Sequence, residues 1–293
     1  MAIARSLTRS RDAGPVSDRP PPAGFVARRA RSDQRLVERL RRAGCVAAEE
    51  EASELEVSAG GDQVLLEHLV QRRVGGEPLA WVTGSILFAG HRILVRPGVY
   101  VPRAQSELLV TRALLKLPRD GCAVDLCTGS GAVAVALARA RPLASVVGTE
   151  LDPAACACAR ENGVTVYSGD LTEPLPAELV GRVDLVTAVA PYVPTAALGL
   201  LPRDSRDHEP LTALDGGPDG IGVLTRVIVQ AAGLLRGGGW LLVELGGDEA
   251  DRVAGLLHSQ GYRHVQTSCD EDGDVRCLEA QLVARPSQRR RDS

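Results

Sequence analysis

The stretch "VDLCTGSGAVAVALA", residues 124–138, runs from a short apolar, β-prone segment through Gly129 and Gly131 into an alanine- and valine-rich segment. A strand that turns on glycines into a helix lets backbone come close to a ligand, and the first turn of the helix presents unpaired N–H groups there. The same alternation continues on the C-terminal side. "ASVVGTE", "VTVYSGD", "VDLVTAV" and "WLLVEL" are nearly continuous apolar runs, separated by helical stretches such as "PAACACAREN" and "GVLTRVIVQAAGLL". Strands apolar on both faces, alternating with helices, predict an α/β fold with a mostly parallel sheet covered on both sides. The final pair differs: only "CDEDGDV" separates "YRHVQTS" from "RCLEAQLVA", too short for a parallel crossover, so these two form an antiparallel hairpin.

N-terminal to this region the pattern changes. "SDQRLVERLRRAG" begins with Ser32 and Asp33 as candidate caps, and "GDQVLLEHLVQRRVGG" places Val64, Leu65, His68, Leu69 and Val74 along one predicted helix face. "WVTGSILFAGHRILVRPGVYVPR" then reads as a hairpin of two β-prone runs flanking "AGH". The expected organisation is an extension at 1–24, a helical domain at 25–75, a hairpin linker at 76–103, an α/β domain at 104–284 and a tail at 285–293. The extension and tail are rich in Arg, Ser and Pro and are expected to be disordered.

Composition narrows the function. The chain has 293 residues, 44% of them hydrophobic, enough for a sizeable core. Its net charge of -3 implies no broad phosphate-coating surface, so direct nucleic-acid binding is not expected. No apolar run approaches the ~20 residues that span a bilayer. Seven cysteines without a C-x-x-C pair fit a reduced, cytoplasmic chain, and Cys156 and Cys158 lack the partners of a metal site.

The glycine pair alone is a weak signal. Glu150, nineteen residues beyond Gly131, ends the next apolar strand, where a carboxylate can accept from both hydroxyls of an adenosine ribose. Asp170 ends a third strand at the same sheet edge and could accept from an adenine amino group. The alternative reading is that both acids cap the helices that follow them. Dinucleotide sites share such a loop and acid. S-adenosylmethionine is favoured here because Ala134 stands where a third glycine would be and because the terminal hairpin adds an antiparallel strand.

The sequence resembles the HemK/PrmC group of protein glutamine N5-methyltransferases from about residue 30 to 284, through "GEPLAWVTG" (76–84), "PGVYVPRAQSE" (97–107), "DLCTGSGAVAVALA" (125–138), "GTELDPAACACAREN" (148–162), "DHEPLTALDGGPDGIGVLTRVI" (207–228) and "GGGWLLVELG" (237–246). The resemblance implies a class I S-adenosylmethionine-dependent methyltransferase: a Rossmann-like seven-stranded sheet with a terminal antiparallel hairpin, preceded by a small helical domain that grips a protein substrate. The implied acceptor is a glutamine side-chain amide, in the Gly-Gly-Gln loop of a class I release factor or in a ribosomal protein, and a monomer is expected. Cofactor contacts are expected from Asp125, Cys127, Thr128, Gly129, Ser130 and Gly131, and from Glu150, Asp170 and Leu171.

One motif departs from the family. Asn-Pro-Pro-Tyr is replaced by Val189, Ala190, Pro191 and Tyr192. An amide nitrogen is a poor nucleophile, so the enzyme must hold its N–H groups and aim its lone pair. In the family the Asn oxygen accepts one N–H, a carbonyl of the turn accepts the other, and the Tyr packs beside the reacting group. Val189 offers no such oxygen, a loss expected to slow transfer about tenfold to a few hundredfold; a redirected small-molecule acceptor or an impaired enzyme are the alternatives. Ala190 keeps its peptide carbonyl but loosens the turn. Pro191, Tyr192 and Pro194 can also be read as a rigid strand-end turn. Arg103 and Glu209 are expected to border the substrate, although a salt bridge between Arg103 and Glu107 would account for that segment equally well, and Asp215 reads as a turn residue.

Overall fold

The structure, a computed structural model, describes residues 33–283. The expected extension at 1–24, the tail at 285–293 and the candidate cap Ser32 lie outside the described residues.

Four helices open the described chain: α1 (Gln34–Arg42), α2 (Ala48–Ala59), α3 (Gln63–Val74) and α4 (Leu79–Thr83). Asp33 caps α1 by accepting from Arg35 N at 2.9 Å, and Asp62 caps α3 by accepting from Val64 N and Leu65 N. The face of α3 differs from the expected one. Leu69 and Val70 are buried with Leu66 and Val74 against them, whereas Val64 is 82% and Leu65 40% exposed and His68 faces solvent. The stripe that meets α1 and α2 is Leu66, Leu69, Val70 and Val74, a full set of helical spacings that leaves out the first turn. Helix α2 escapes sequence reading because its buried face is mostly alanine, with Ala48, Ala52 and Ala59 around Leu55. Helix α4 occupies part of a run read as β-prone, and its Trp81 donates its indole N–H to Val99 O at 2.9 Å.

The hairpin is present as β1 (Ser85–Phe88) and β2 (His91–Leu94), antiparallel, turning at Ala89 and Gly90 with positive φ. Asn162 clamps its second strand, accepting from Leu94 N and donating to Leu94 O.

The remaining strands are β3 (Cys122–Leu126), β4 (Ser145–Glu150), β5 (Thr165–Ser168), β6 (Val183–Ala188), β7 (Leu235–Glu244), β8 (Tyr262–Cys269) and β9 (Val275–Leu282). They form one sheet in the order β5-β4-β3-β6-β7-β9-β8, parallel from β5 to β7, with β9 antiparallel to both β7 and β8. The α/β fold with a seven-stranded, mostly parallel sheet and a terminal hairpin is therefore as expected. Strand β7 starts earlier than its apolar run, because "LRGG" extends the backbone pairing with β6 without apolar side chains.

Helices α5 (Ser106–Lys116), α6 (Ala132–Ala140), α7 (Pro153–Glu161), α8 (Arg203–His208), α9 (Gly222–Leu234) and α10 (Glu249–Ser259) complete the chain. Strand alternation sorts the core by face. Ala123, Leu185 and Leu242 point toward α5 and α6, and Val124, Val186, Leu241 and Val243 toward α9 and α10. Strand order reverses beside β3, so the C-terminal ends of β3, β4 and β6 open onto one crevice, the usual ligand position in such sheets.

Candidate active site

The two glycines after β3 are needed for different reasons. Gly131, at φ +84°, packs against α7 and the segment after it: a Cβ there would lie 2.8 Å from Val164 Cγ2. Gly129, at φ +57°, has open space where its Cβ would be. Glu150, at the end of β4, organises this loop. Its Oε2 accepts from Gly129 N at 2.8 Å, and its Oε1 accepts from Leu151 N at 2.8 Å and Asp152 N at 2.9 Å. Burial raises its pKa while these three donors lower it. The helix-capping alternative for Glu150 does not hold, since Asp152 caps α7 by accepting from Ala154 N at 2.7 Å.

Above the loop lies a cavity of about 370 Å³. Cys127, Gly129, Glu150, Asp170, Leu171 and Val189 line it. Asp170 is paired with Arg226 of α9, which lines the same cavity. Sequence reading missed Arg226, which lies 56 positions further along the chain. Thr149 Oγ1 is buried without a hydrogen-bond partner, and Thr149 also lines this cavity. Open backbone at Gly129, two strand-end carboxylates and an unpaired hydroxyl fit a ligand with hydroxyl and amino groups, as an adenosyl cofactor has.

The other expected cofactor residues stand behind the loop. Asp125, Thr128 and Ser130 line a neighbouring space of about 40 Å³, and Gly131 lines neither. Asp125 is buried and accepts from the hydroxyls of Thr128 at 2.6 Å and Thr187 at 2.7 Å, and burial pushes its carboxyl up to about 6. Burial likewise raises the Cys127 thiol, so it stays protonated at neutral pH.

Val189, Ala190, Pro191 and Tyr192 follow β6 and line a second cavity of about 380 Å³. The two large cavities share Tyr100, Val189, Pro191 and Ala213. The Tyr192 hydroxyl accepts from Gln105 Nε2 at 3.0 Å, and the same nitrogen donates to Glu244 Oε1 at 3.0 Å. Ser106 Oγ donates to the other oxygen of Glu244, a buried carboxylate at the end of β7. Burial raises the Tyr192 phenol to about 12, so it is neutral. Gln105, Ser106 and Glu244 carried no signal in sequence because 138 or 139 positions separate the partners.

Arg103 and Glu209 meet, though not as the local salt bridge considered above. Arg103 pairs with Glu209 and donates to Ser205 Oγ at 3.1 Å, while Glu209, fully buried, accepts from Val101 N at 3.0 Å. Glu107 instead accepts from Ala89 N at 2.9 Å. Arg103 and Ser205 border the second cavity; Glu209 holds them from behind. Asp215 is a turn residue as expected, accepting from Thr195 Oγ1 and Gly217 N. His208 stacks on Trp81 with ring centroids 6.2 Å apart. Among the described residues no group of His, Cys, Asp and Glu could hold a metal ion, and no helix is long and apolar enough to cross a membrane. Cys158 Sγ contacts Leu94 O and Cys156 Sγ contacts Glu150 O.

No protein-family model matches the chain. A release factor glutamine methyltransferase of Geobacter sulfurreducens is 40% identical over 211 residues, which span 70% of this chain and 73% of the relative. One of Mycolicibacterium smegmatis is 41% identical over 226 residues, 75% of this chain and 80% of the relative. A 4-amino-L-phenylalanine/4-methylamino-L-phenylalanine methyltransferase of Streptomyces pristinaespiralis is 36% identical over 280 residues, 90% of this chain and 93% of the relative.

Proposed function

The chain belongs to the release factor glutamine methyltransferase family, and we propose that it transfers a methyl group from S-adenosylmethionine to the side-chain amide nitrogen of a glutamine in the Gly-Gly-Gln loop of a class I release factor, in the cytoplasm and as a monomer. The observation that carries this reading is the junction of two cavities at Val189–Tyr192, one bearing an adenosine-type acid pair and the other open to an acceptor.

In this reading Glu150 accepts from the ribose hydroxyls, Asp170, oriented by Arg226, accepts from the adenine amino group, and Gly129 lets the cofactor lie against backbone. S-adenosylmethionine held by these residues would supply its methyl as a sulfonium, the C–S electron pair leaving with sulfur and the acceptor amide nitrogen giving up one proton to water. The chain's own task is to hold that nitrogen with its lone pair aimed at the cofactor cavity. The carbonyls of the Ala190–Tyr192 turn accept one N–H and stabilise positive charge developing on nitrogen. The Arg103–Glu209 pair fixes the wall of the acceptor cavity to the linker.

A second reading, transfer to the amino group of a small aromatic amine, is favoured by one pair of observations. Val189 withdraws the side-chain acceptor that an amide needs, and the Streptomyces pristinaespiralis relative aligns over nearly the whole chain. It ranks second because relatives of higher identity are named for the release factor.

The test is mass spectrometry of a class I release factor after incubation with S-adenosylmethionine and either the native protein or Val189→Asn, with 4-amino-L-phenylalanine run in parallel. Methylated Gly-Gly-Gln peptide is expected both from the native protein and from Val189→Asn, which restores the side-chain amide oxygen at the end of β6. Methylation of the amine alone would refute the release factor reading.

A further inference from the structure

We propose that the Tyr100 hydroxyl holds the acceptor amide in place of the oxygen that position 189 lacks. This rests on the glutamine reading above and names the side chain through which that site works.

The cofactor cavity, the acceptor cavity and the small space behind the glycine loop have two residues in common, Tyr100 and Val189. These two therefore stand where the three spaces meet. Of the four residues that line both large cavities, Tyr100, Val189, Pro191 and Ala213, Tyr100 alone has a polar side chain. The wall formed by the other three can bind an amide only through backbone.

The Tyr100 oxygen is available for this. The guanidinium of Arg103, 4.8 Å from the ring centroid and donating to Glu209 and Ser205, also approaches the Tyr100 oxygen, and no other side chain among the described residues hydrogen-bonds to it, so a lone pair remains for an amide N–H. Burial raises the phenol's pKa, so the group stays neutral and keeps its proton. Tyr192 is less suited. It lines the acceptor cavity but not the cofactor cavity. A neutral phenol oxygen at the passage can accept one amide N–H while a carbonyl of the Ala190–Tyr192 turn accepts the other. The same two bonds in the family are made by the Asn side chain and the turn, so the chain has moved one acceptor from the end of β6 to the linker after the hairpin.

The experiment is a double-mutant cycle of Tyr100→Phe and Val189→Asn, with kcat and KM measured on the release factor and cofactor affinity measured by calorimetry. In the native background Tyr100→Phe is expected to lower kcat about 10- to 100-fold. With Asn at 189 the same change is expected to cost less than about threefold, because one N–H needs one acceptor and the two effects are not additive. Tyr100→His, which keeps an acceptor nitrogen on a ring, is expected to fall between native and Phe. An equal loss in both backgrounds, no loss in the native one, or a loss matched by weaker cofactor binding would each overturn the assignment. No transfer by any variant, including Val189→Asn, refutes the glutamine reading itself and this assignment with it.

Discussion

Glu150→Gln changes one atom and separates the two tasks assigned to this carboxylate. The native group accepts from three backbone donors, Gly129 N at 2.8 Å, Leu151 N at 2.8 Å and Asp152 N at 2.9 Å. A carboxamide can keep its oxygen on Leu151 and Asp152, but its NH₂ then meets Gly129 N–H, donor against donor. At least one hydrogen bond to a charged acceptor is lost, about 1.5–3 kcal/mol, and the ribose hydroxyl that used the same oxygen loses its partner as well. S-adenosylmethionine and S-adenosylhomocysteine should both bind about 10- to 150-fold more weakly. Removing a desolvated charge offsets part of the cost in the free protein, so its thermal stability without cofactor should change less than its affinity. Calorimetric titration of both ligands into native and variant protein at neutral pH, with melting curves alongside, measures each quantity. An affinity within about threefold of native, less than the smallest loss worked above, would show that Glu150 serves the loop and not the cofactor.

Two further predictions concern the glycine loop and the strand that leads into it. Gly131→Ala places a methyl 2.8 Å from Val164 Cγ2 and 3.2 Å from Ala159 Cβ at a φ of +84°, and should cost about 1–3 kcal/mol, read as a lower melting temperature; an unchanged melt contradicts the packing described. Asp125 is held at about 6 by burial, against about 3.9 in an unfolded chain, so the unfolded state loses its proton first. The penalty on the folded state is absent below about pH 4, grows as pH rises, and is complete above about pH 6, some 3 kcal/mol by linkage. Denaturant melts of Asp125→Asn should therefore gain stability relative to native across that window and run parallel to it above, whereas a difference independent of pH would show that Asp125 titrates normally.

What the sequence determined by itself were the features carried by short spacings. Strands buried on both faces write themselves as unbroken apolar runs, helices as a period near four, and the closing hairpin as a loop too short for any crossover, so fold class and strand count were legible. So were the strand-end acids Glu150 and Asp170 and the departure from the family motif at Val189, because each is identified by its place next to a strand or inside a motif. Helix α2 was lost because alanine marks a buried face weakly, and the face of α3 was misjudged because which turn meets its neighbours depends on how α1 and α2 sit against it. The site's connections lay further from reach. Arg226 meets Asp170, Arg103 meets Glu209, and Gln105 and Ser106 meet Glu244 across separations of 56 to 139 residues. Only the tertiary structure decided these, and with them the place of both Tyr100 and Val189 in the lining of the same cavities, since strand order and the docking of the linker bring distant side chains to one sheet edge, and neither is encoded in any local period.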